Sequence, residues 1–218
     1  MNKPFRAVIF DMDGVLVDSE WQYHLRRLDF LREHGVELPQ ETLPQVIGRP
    51  YQSYVDMVLS LDGVSWTQEE YTRLYDAYTQ RIGRLHYDQC LFSDAPGVLS
   101  LLKRKGLRLG LASSSPRRAV SLMLSDCGFG TIFHCVLAQE DVEQVKPSPE
   151  IYRKAAARLD LSPEECVAVE DSVHGIRSAL DAGMTVVAKT SPHYELDQSA
   201  AHYHIRQLQD LPPLLERL

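Results

Sequence analysis

Two aspartates stand two residues apart at Asp11 and Asp13, followed at once by Gly14. A second acidic pair, Glu170 and Asp171, lies far along the chain, and between them come Ser113-Ser114-Ser115 and Lys146-Pro147. If Asp11-Met12-Asp13 leaves a strand, its period of two sends both carboxylates to one side, and Gly14 supplies the backbone freedom for the turn that follows. Carboxylates so close repel unless a cation sits between them. With Glu170-Asp171 added, the set has the all-oxygen donor chemistry of a magnesium-type site, whose shell is completed by water or substrate. Asp11 can then act as a covalent nucleophile toward a phosphoryl group, and Asp13 as the acid and base that serves the leaving oxygen and the attacking water. A transferring phosphoryl group spreads charge over its equatorial oxygens, so a Ser113 hydroxyl, nearby backbone N–H groups and the Lys146 ammonium are the group types wanted around it.

Simpler readings exist for each residue. An acid after a strand can cap the next helix, the reading adopted for Asp94 before Ala95-Pro96. Ser115-Pro116 reads as a helix cap and first turn, with its positive end aimed at the same place. Ser114 and Ser115 are equally readable as loop serines, and Lys146 as a solvated lysine in a loop stiffened by Pro147 and Pro149.

These residues need elements to carry them. Residues 7–10, Ala-Val-Ile-Phe, form a continuous apolar run ending at Asp11, as for a strand buried on both faces of a parallel sheet. Similar runs occur at 109–112, 135–138, 166–169 and 185–188, with helix-period stretches at 97–105, 117–127, 150–159 and 173–182 between them. That alternation predicts an α/β fold with a doubly wound parallel sheet. Residues 16–88 break the pattern with amphipathic stretches near 20–34, 52–61 and 67–85. The expected organisation is therefore a core of residues 1–15 and 89–218 with a helical insert, 16–88, over the strand ends. In such sheets ligands bind at the carboxyl ends of strands, where Asp11, Ser113, Lys146 and Glu170-Asp171 all fall.

Composition limits what the site serves. Against 23 Lys and Arg stand 30 Asp and Glu, a net charge of −7, which argues against a nucleic-acid partner but leaves room for a small phosphorylated molecule. Cys90, Cys127, Cys135 and Cys166 are scattered without a CxxC pair and read as buried free thiols. The first apolar run is too short for a signal peptide or a membrane span, so a cytoplasmic protein with no membrane partner is expected.

Asp11-Met-Asp13-Gly14-Val15, Ser113 after an apolar strand, Lys146-Pro147-Ser-Pro149, and Val169-Glu170-Asp171-Ser172 with Gly175-Ile176 and Ala182-Gly183 resemble, in order and spacing, the four motifs of the haloacid dehalogenase superfamily. The likeness spans essentially the whole chain, and the insert resembles the helical cap of the β-phosphoglucomutase-like and sugar-phosphatase branch. It implies a Rossmann-like core and Mg2+ held by Asp11, Asp171 and the backbone carbonyl of Asp13. It also implies an aspartyl-phosphate at Asp11, acid–base work by Asp13, phosphate contacts from Ser113 and Lys146, and support from Glu170; Ser114, beside Ser113, is a further candidate phosphate contact read from its position alone. Dehalogenases of the family lack the second aspartate, present here as Asp13. Phosphonate-cleaving members use a cap lysine, and 16–88 contains none. The mutases carry a histidine five residues after the aspartate matching Asp18, where this chain has Tyr23, with His24 about 100° further round a helix. The expectation is a magnesium-dependent phosphatase, a monomer acting on a small sugar-like phosphate, with a hexose-phosphate mutase as the alternative.

Within the insert, Tyr23 and Arg49, in the Gly48-Arg49-Pro50 turn, are candidate substrate contacts and equally readable as surface or packing residues. Trp21, Trp66, Tyr71, Tyr75 and Tyr78 fall at helical spacing and read as the insert's own core. His202 and His204 are explained by alternation in a late strand.

Overall fold

The computed structural model describes residues 5–38 and 51–218, apart from the Tyr51 side chain. The expected turn at Arg49 lies outside the described residues. Six strands form one parallel sheet: β1 (Ala7–Phe10), β2 (Arg108–Ala112), β3 (Cys135–Leu137), β4 (Cys166–Glu170), β5 (Thr185–Lys189) and β6 (Tyr203–Ile205). Their order is β3-β2-β1-β4-β5-β6. The described helices are α1 (Ser19–Glu33), α2 (Tyr51–Leu59), α3 (Gln68–Ile82), α4 (Ala95–Arg104), α5 (Arg117–Asp126), α6 (Glu150–Arg158), α7 (Val173–Ala182) and α8 (Leu211–Leu215).

The apolar runs become strands because they are covered on both faces. Every residue of β1 and β4 is buried. Alternation sorts the faces: Ala7, Ile9, Cys166 and Ala168 join Ile151 and Tyr152 of α6 and Ile176 and Ala179 of α7 in one cluster. α4 packs on β2. The result is the doubly wound α/β arrangement anticipated from the alternation. Chain order reverses on either side of β1, which pairs with β2 and β4, so the crevice beyond Phe10 and Val169 is the topological switch point.

The chain divides into two compact units, Met1–Ser19 with Tyr87–Leu218, and Glu20–His86. The second is held by Phe30 of α1, whose ring meets Tyr71 edge-on at 5.5 Å and Tyr75 at 5.2 Å, with Trp66 at 5.9 Å and Tyr78 at 5.6 Å. Trp21 differs from expectation: it is not part of that cluster, and its ring lies 5.4 Å from His24. α3 begins in a reciprocal cap, with Thr67 Oγ1 accepting from Glu70 N and Glu70 Oε2 accepting from Thr67 N. It stops at Ile82, short of the predicted end at 85, because Gly83 turns to φ 77°.

Two expected caps are otherwise used. Asp94 precedes α4 in helical geometry with no capping bond of its own, and its carboxylate accepts from Gln209 N at 2.9 Å. Pro116, in extended geometry, is the residue before α5, and Ser115 turns elsewhere.

Candidate active site

Asp11 directly follows β1, its N–H donating to Val169 O at 2.9 Å, so the sheet places it beside Glu170 at the end of β4. The chain then doubles back. Gly14 N donates to Val17 O at 2.7 Å, Leu16 N to Met12 O at 2.9 Å, and Asp18 N to Cys90 O at 2.7 Å. Met12, Val15, Leu16 and Val17 are fully buried, which anchors this turn. Gly14 is required twice over. Its φ is 76°, and a Cβ there would lie 2.0 Å from Asp171 Oδ2. Gly175 is similarly placed against Glu170, whose carboxylate a Cβ would meet at 2.0 Å.

Lys146 is a buried cation, its side chain 6% exposed. Its Nζ donates to Asp11 Oδ1 at 2.6 Å, Glu170 Oε1 at 2.6 Å and Ala112 O at 2.9 Å. Burial alone would pull its pKa down, but the Asp11 and Glu170 carboxylates outweigh it and hold the ammonium above the ordinary lysine range. Burial pushes Asp11 up to about 7, with Glu170 and Asp13 adding to the rise and Lys146 opposing it. Asp13 is also raised by burial. The hydroxyls of Ser19 and Ser115 resist that rise, each donating to one of its carboxylate oxygens, Ser115 at 2.7 Å.

Glu170 is fully buried and occupied by neighbours. Besides Lys146, its Oε1 accepts from Tyr152 Oη at 2.6 Å, and its Oε2 from Asp171 N at 3.2 Å and Ser172 Oγ at 3.3 Å. Ser172 also caps α7, accepting from Gly175 N at 3.0 Å. Ser113 is buried after β2, its N–H donating to Leu137 O and its Oγ accepting from Ser115 N at 3.0 Å. Ser114 is exposed in the same loop.

Asp11, Glu170 and Asp171 each offer a carboxylate oxygen, and the three atoms lie within 4.8 Å of one another. Two oxygens bound to one magnesium ion sit roughly 3–4 Å apart, so the Asp11 and Asp171 carboxylates fit such a cation as hard-oxygen donors, while the Glu170 oxygens are taken by Lys146, Tyr152, Ser172 and the Asp171 N–H.

The structure thus brings Asp11, Asp13, Ser113, Lys146, Glu170 and Asp171 to one carboxyl edge. Tyr23 is half-buried on α1 in the Glu20–His86 unit. His202 and His204 bond main chain, His202 Nδ1 accepting from Val186 N at 3.0 Å and His204 Nε2 donating to Gln198 O at 3.0 Å. Sequence reasoning missed Tyr152, which sits among the apolar residues of α6 and reads as plain core. It also missed Lys189, buried at the end of β5, with its Nζ 3.1 Å from Gly14 O and over the Phe92 ring. Burial draws that ammonium's pKa down, while Asp171, Asp18 and Asp94 push it back up.

Residues 8–189 match the model of the haloacid dehalogenase-like hydrolase family. The chain belongs to the haloacid dehalogenase-like hydrolases. Hexitol phosphatase B of Escherichia coli strain K12 is 30% identical over 193 residues, covering 88% of this chain and 86% of that protein. β-Phosphoglucomutase of Bacillus subtilis is 31% identical over 193 residues, covering 84% and 82%. The crystal structure of a haloacid dehalogenase family hydrolase from Deinococcus radiodurans, with bound phosphate and sodium, matches at TM-score 0.84 and 24% identity over 98% of this chain and 96% of that one, a likeness of fold. This haloacid dehalogenase-like hydrolase lies in the β-phosphoglucomutase-like and sugar-phosphatase branch and is a phosphoric monoester hydrolase.

Proposed function

We propose that the chain is a magnesium-dependent phosphatase that removes the phosphoryl group from a small phosphorylated carbohydrate through an aspartyl-phosphate at Asp11. The observation that carries this reading is the buried convergence of Asp11, Asp171 and Lys146 at the ends of β1 and β4, with Asp13 beside them on two hydroxyl donors.

In this reading Asp11 attacks phosphorus, the bond to the leaving oxygen breaks, and protonated Asp13 gives that oxygen its proton. Asp13, now a carboxylate, takes a proton from the water that attacks the aspartyl-phosphate, releasing inorganic phosphate and restoring Asp11. The upward pull of burial on Asp13 suits the acid half of this cycle, and the Ser19 and Ser115 hydroxyls suit the base half. Lys146 and Ser113 hold the transferring phosphoryl oxygens. Glu170 keeps Lys146 in place, and Tyr152 and Ser172 keep Glu170 in place. Magnesium, held by Asp11, Asp171 and the Asp13 carbonyl, would supply positive charge that keeps Asp11 ionised as it nears an anionic phosphate.

The Glu20–His86 unit is the substrate-selecting cap in this proposal, with Tyr23 and Arg49 as candidate contacts and Ser114 as a further phosphate contact. The hexitol phosphatase relative supports a polyol or sugar phosphate as substrate class. The β-phosphoglucomutase relative supports mutase activity as the second reading. Tyr23 weighs against it: it stands where the family's mutases carry a histidine, and a phenol lacks the basic nitrogen with which imidazole takes a proton at neutral pH.

The test is a panel of hexitol and hexose phosphates assayed with magnesium for released phosphate. β-Glucose 1-phosphate is followed for both phosphate and glucose 6-phosphate, with and without the 1,6-bisphosphate. Phosphate release outrunning isomerisation is expected. Bisphosphate-stimulated isomerisation outrunning hydrolysis establishes the mutase instead.

A further inference from the structure

We propose that Gln198 is a positioning residue for the cation site, its carboxamide fixing the main chain of Asp171 one rung beyond the end of the β4–β5 ladder. The inference rests on reading Asp171 as a cation ligand.

The β4–β5 register ends at Glu170 opposite Ala188. The next residue on each strand, Asp171 and Lys189, is joined to the other by a side chain. Gln198 Nε2 donates to Asp171 O at 2.5 Å and to Lys189 O at 3.0 Å. A primary amide nitrogen carries two hydrogens, so these carbonyls account for both. Gln198 is itself anchored, since its carbonyl accepts from Ala201 N at 3.0 Å and from His204 Nε2 at 3.0 Å. His204 stands opposite Ala188 on β6. The ends of β4, β5 and β6 are thereby tied through one buried residue.

The same tie reaches the other side of the site. Lys189 donates to Gly14 O, and Gly14 packs so closely on the Asp171 carboxylate that no Cβ fits between them. The Asp171 main chain is held by Gln198 and its carboxylate is walled by a turn that Lys189 holds. A carboxylate whose backbone drifts loses the oxygen spacing a small cation demands, and outer partners of metal ligands matter for that reason.

Gln198, Asp171 and His204 also border a pocket of about 520 Å³. Water therefore has access to the brace if side-chain volume is removed. This separates two roles. Gln198→Leu keeps the bulk and leaves both carbonyls without their donor. Gln198→Ala opens a space that water from the pocket can fill, restoring donors.

The experiment is calorimetric titration of magnesium chloride into the substrate-free full chain. Gln198→Leu is expected to weaken magnesium binding roughly tenfold or more, and Gln198→Ala by a smaller factor, about threefold. Gln198→Leu binding within about twofold of the parent, or Gln198→Ala binding more weakly than Gln198→Leu, overturns the proposal, the latter by showing that bulk and not the donors matters. If Gln198→Leu does not fold, unchanged binding in Gln198→Ala and in His204→Phe overturns it and weakened binding in both supports it. A parent that binds no magnesium fails the cation reading itself, and this inference with it.

Discussion

The two units spend their polar residues differently. In the Met1–Ser19 and Tyr87–Leu218 unit, exposed ion pairs also occur, but a set of charged groups lies buried or half-buried and is held by partners distant in sequence: Lys146 by Asp11 and Glu170, Asp13 by Ser115, Lys189 by Gly14. In the Glu20–His86 unit the interior is aromatic, and the charges stand outside it in exposed pairs such as Arg32 with Asp29 and Arg81 with Glu33. Buried charge costs free energy unless it is paired and hydrogen-bonded, so it is kept where reaction needs it. A unit whose interior holds rings can vary its surface at small cost to its fold, which suits a proposed role in choosing substrates.

The largest effect expected from this contrast is on rate. Asp11→Asn keeps the size of the side chain and an acceptor for Lys146 while removing the nucleophilic charge. Phosphatase turnover should fall by roughly 10³ or more, because a covalent path is lost rather than one contact. The fold should not suffer, since the substitution removes a carboxylate that burial already disfavours. Turnover within about tenfold of the parent, measured as released phosphate, removes Asp11 as nucleophile.

How much of this was legible beforehand depended on whether a residue's role was local. The run at 7–10 becomes β1 at those positions and the stretch at 173–182 becomes α7 unchanged, because burial on both faces and a Ser cap with a following Gly are written in adjacent residues. Asp11, Lys146 and Glu170-Asp171 were readable because each follows a strand or a strand-end loop, and a parallel sheet gathers those ends. Ser115 is readable from the sequence equally as a loop or capping serine and as a site residue, and its bond to Asp13 decides between them through a contact 102 positions away. Tyr152, Lys189 and Gln198 gave no signal at all. A tyrosine on an apolar helix face, a lysine ending a strand and a glutamine in a polar loop have ordinary local explanations, and only the packed fold turns them inward.

The next largest effect is expected from removing the cation of the buried ion cluster. Lys146→Met keeps a long side chain in place but leaves Asp11 and Glu170 facing each other without their shared cation, and only Tyr152, Ser172 and the Asp171 N–H remain to satisfy Glu170. Removing one partner of a buried pair costs about 3–5 kcal/mol, so the midpoint of chemical unfolding should fall markedly. Phosphatase activity should fall with it at temperatures where the chain is still folded. A variant as stable as the parent shows that the cluster's charges are more solvated than their burial implies.

The smallest effect is expected for the matching experiment on the second unit. Glu33 and Arg81 form an ion pair whose side chains are 45% and 60% exposed, so water competes for both ends and salt screens what is left. Glu33→Gln is the variant to use, because it neutralises one end and leaves Arg81 over the Tyr78 ring at 5.4 Å. Exposed pairs contribute little, so the loss here should be small, far below that of Lys146→Met, and should shrink further as salt is raised. Activity should be unchanged, since both residues belong to the Glu20–His86 unit and neither is among its candidate substrate contacts. Urea unfolding at low and high ionic strength, run beside Lys146→Met, measures the two pairs on one scale. A Glu33→Gln loss as large as that of Lys146→Met means that the second unit also depends on ionic contacts, and the division between a charged interior and an aromatic one fails.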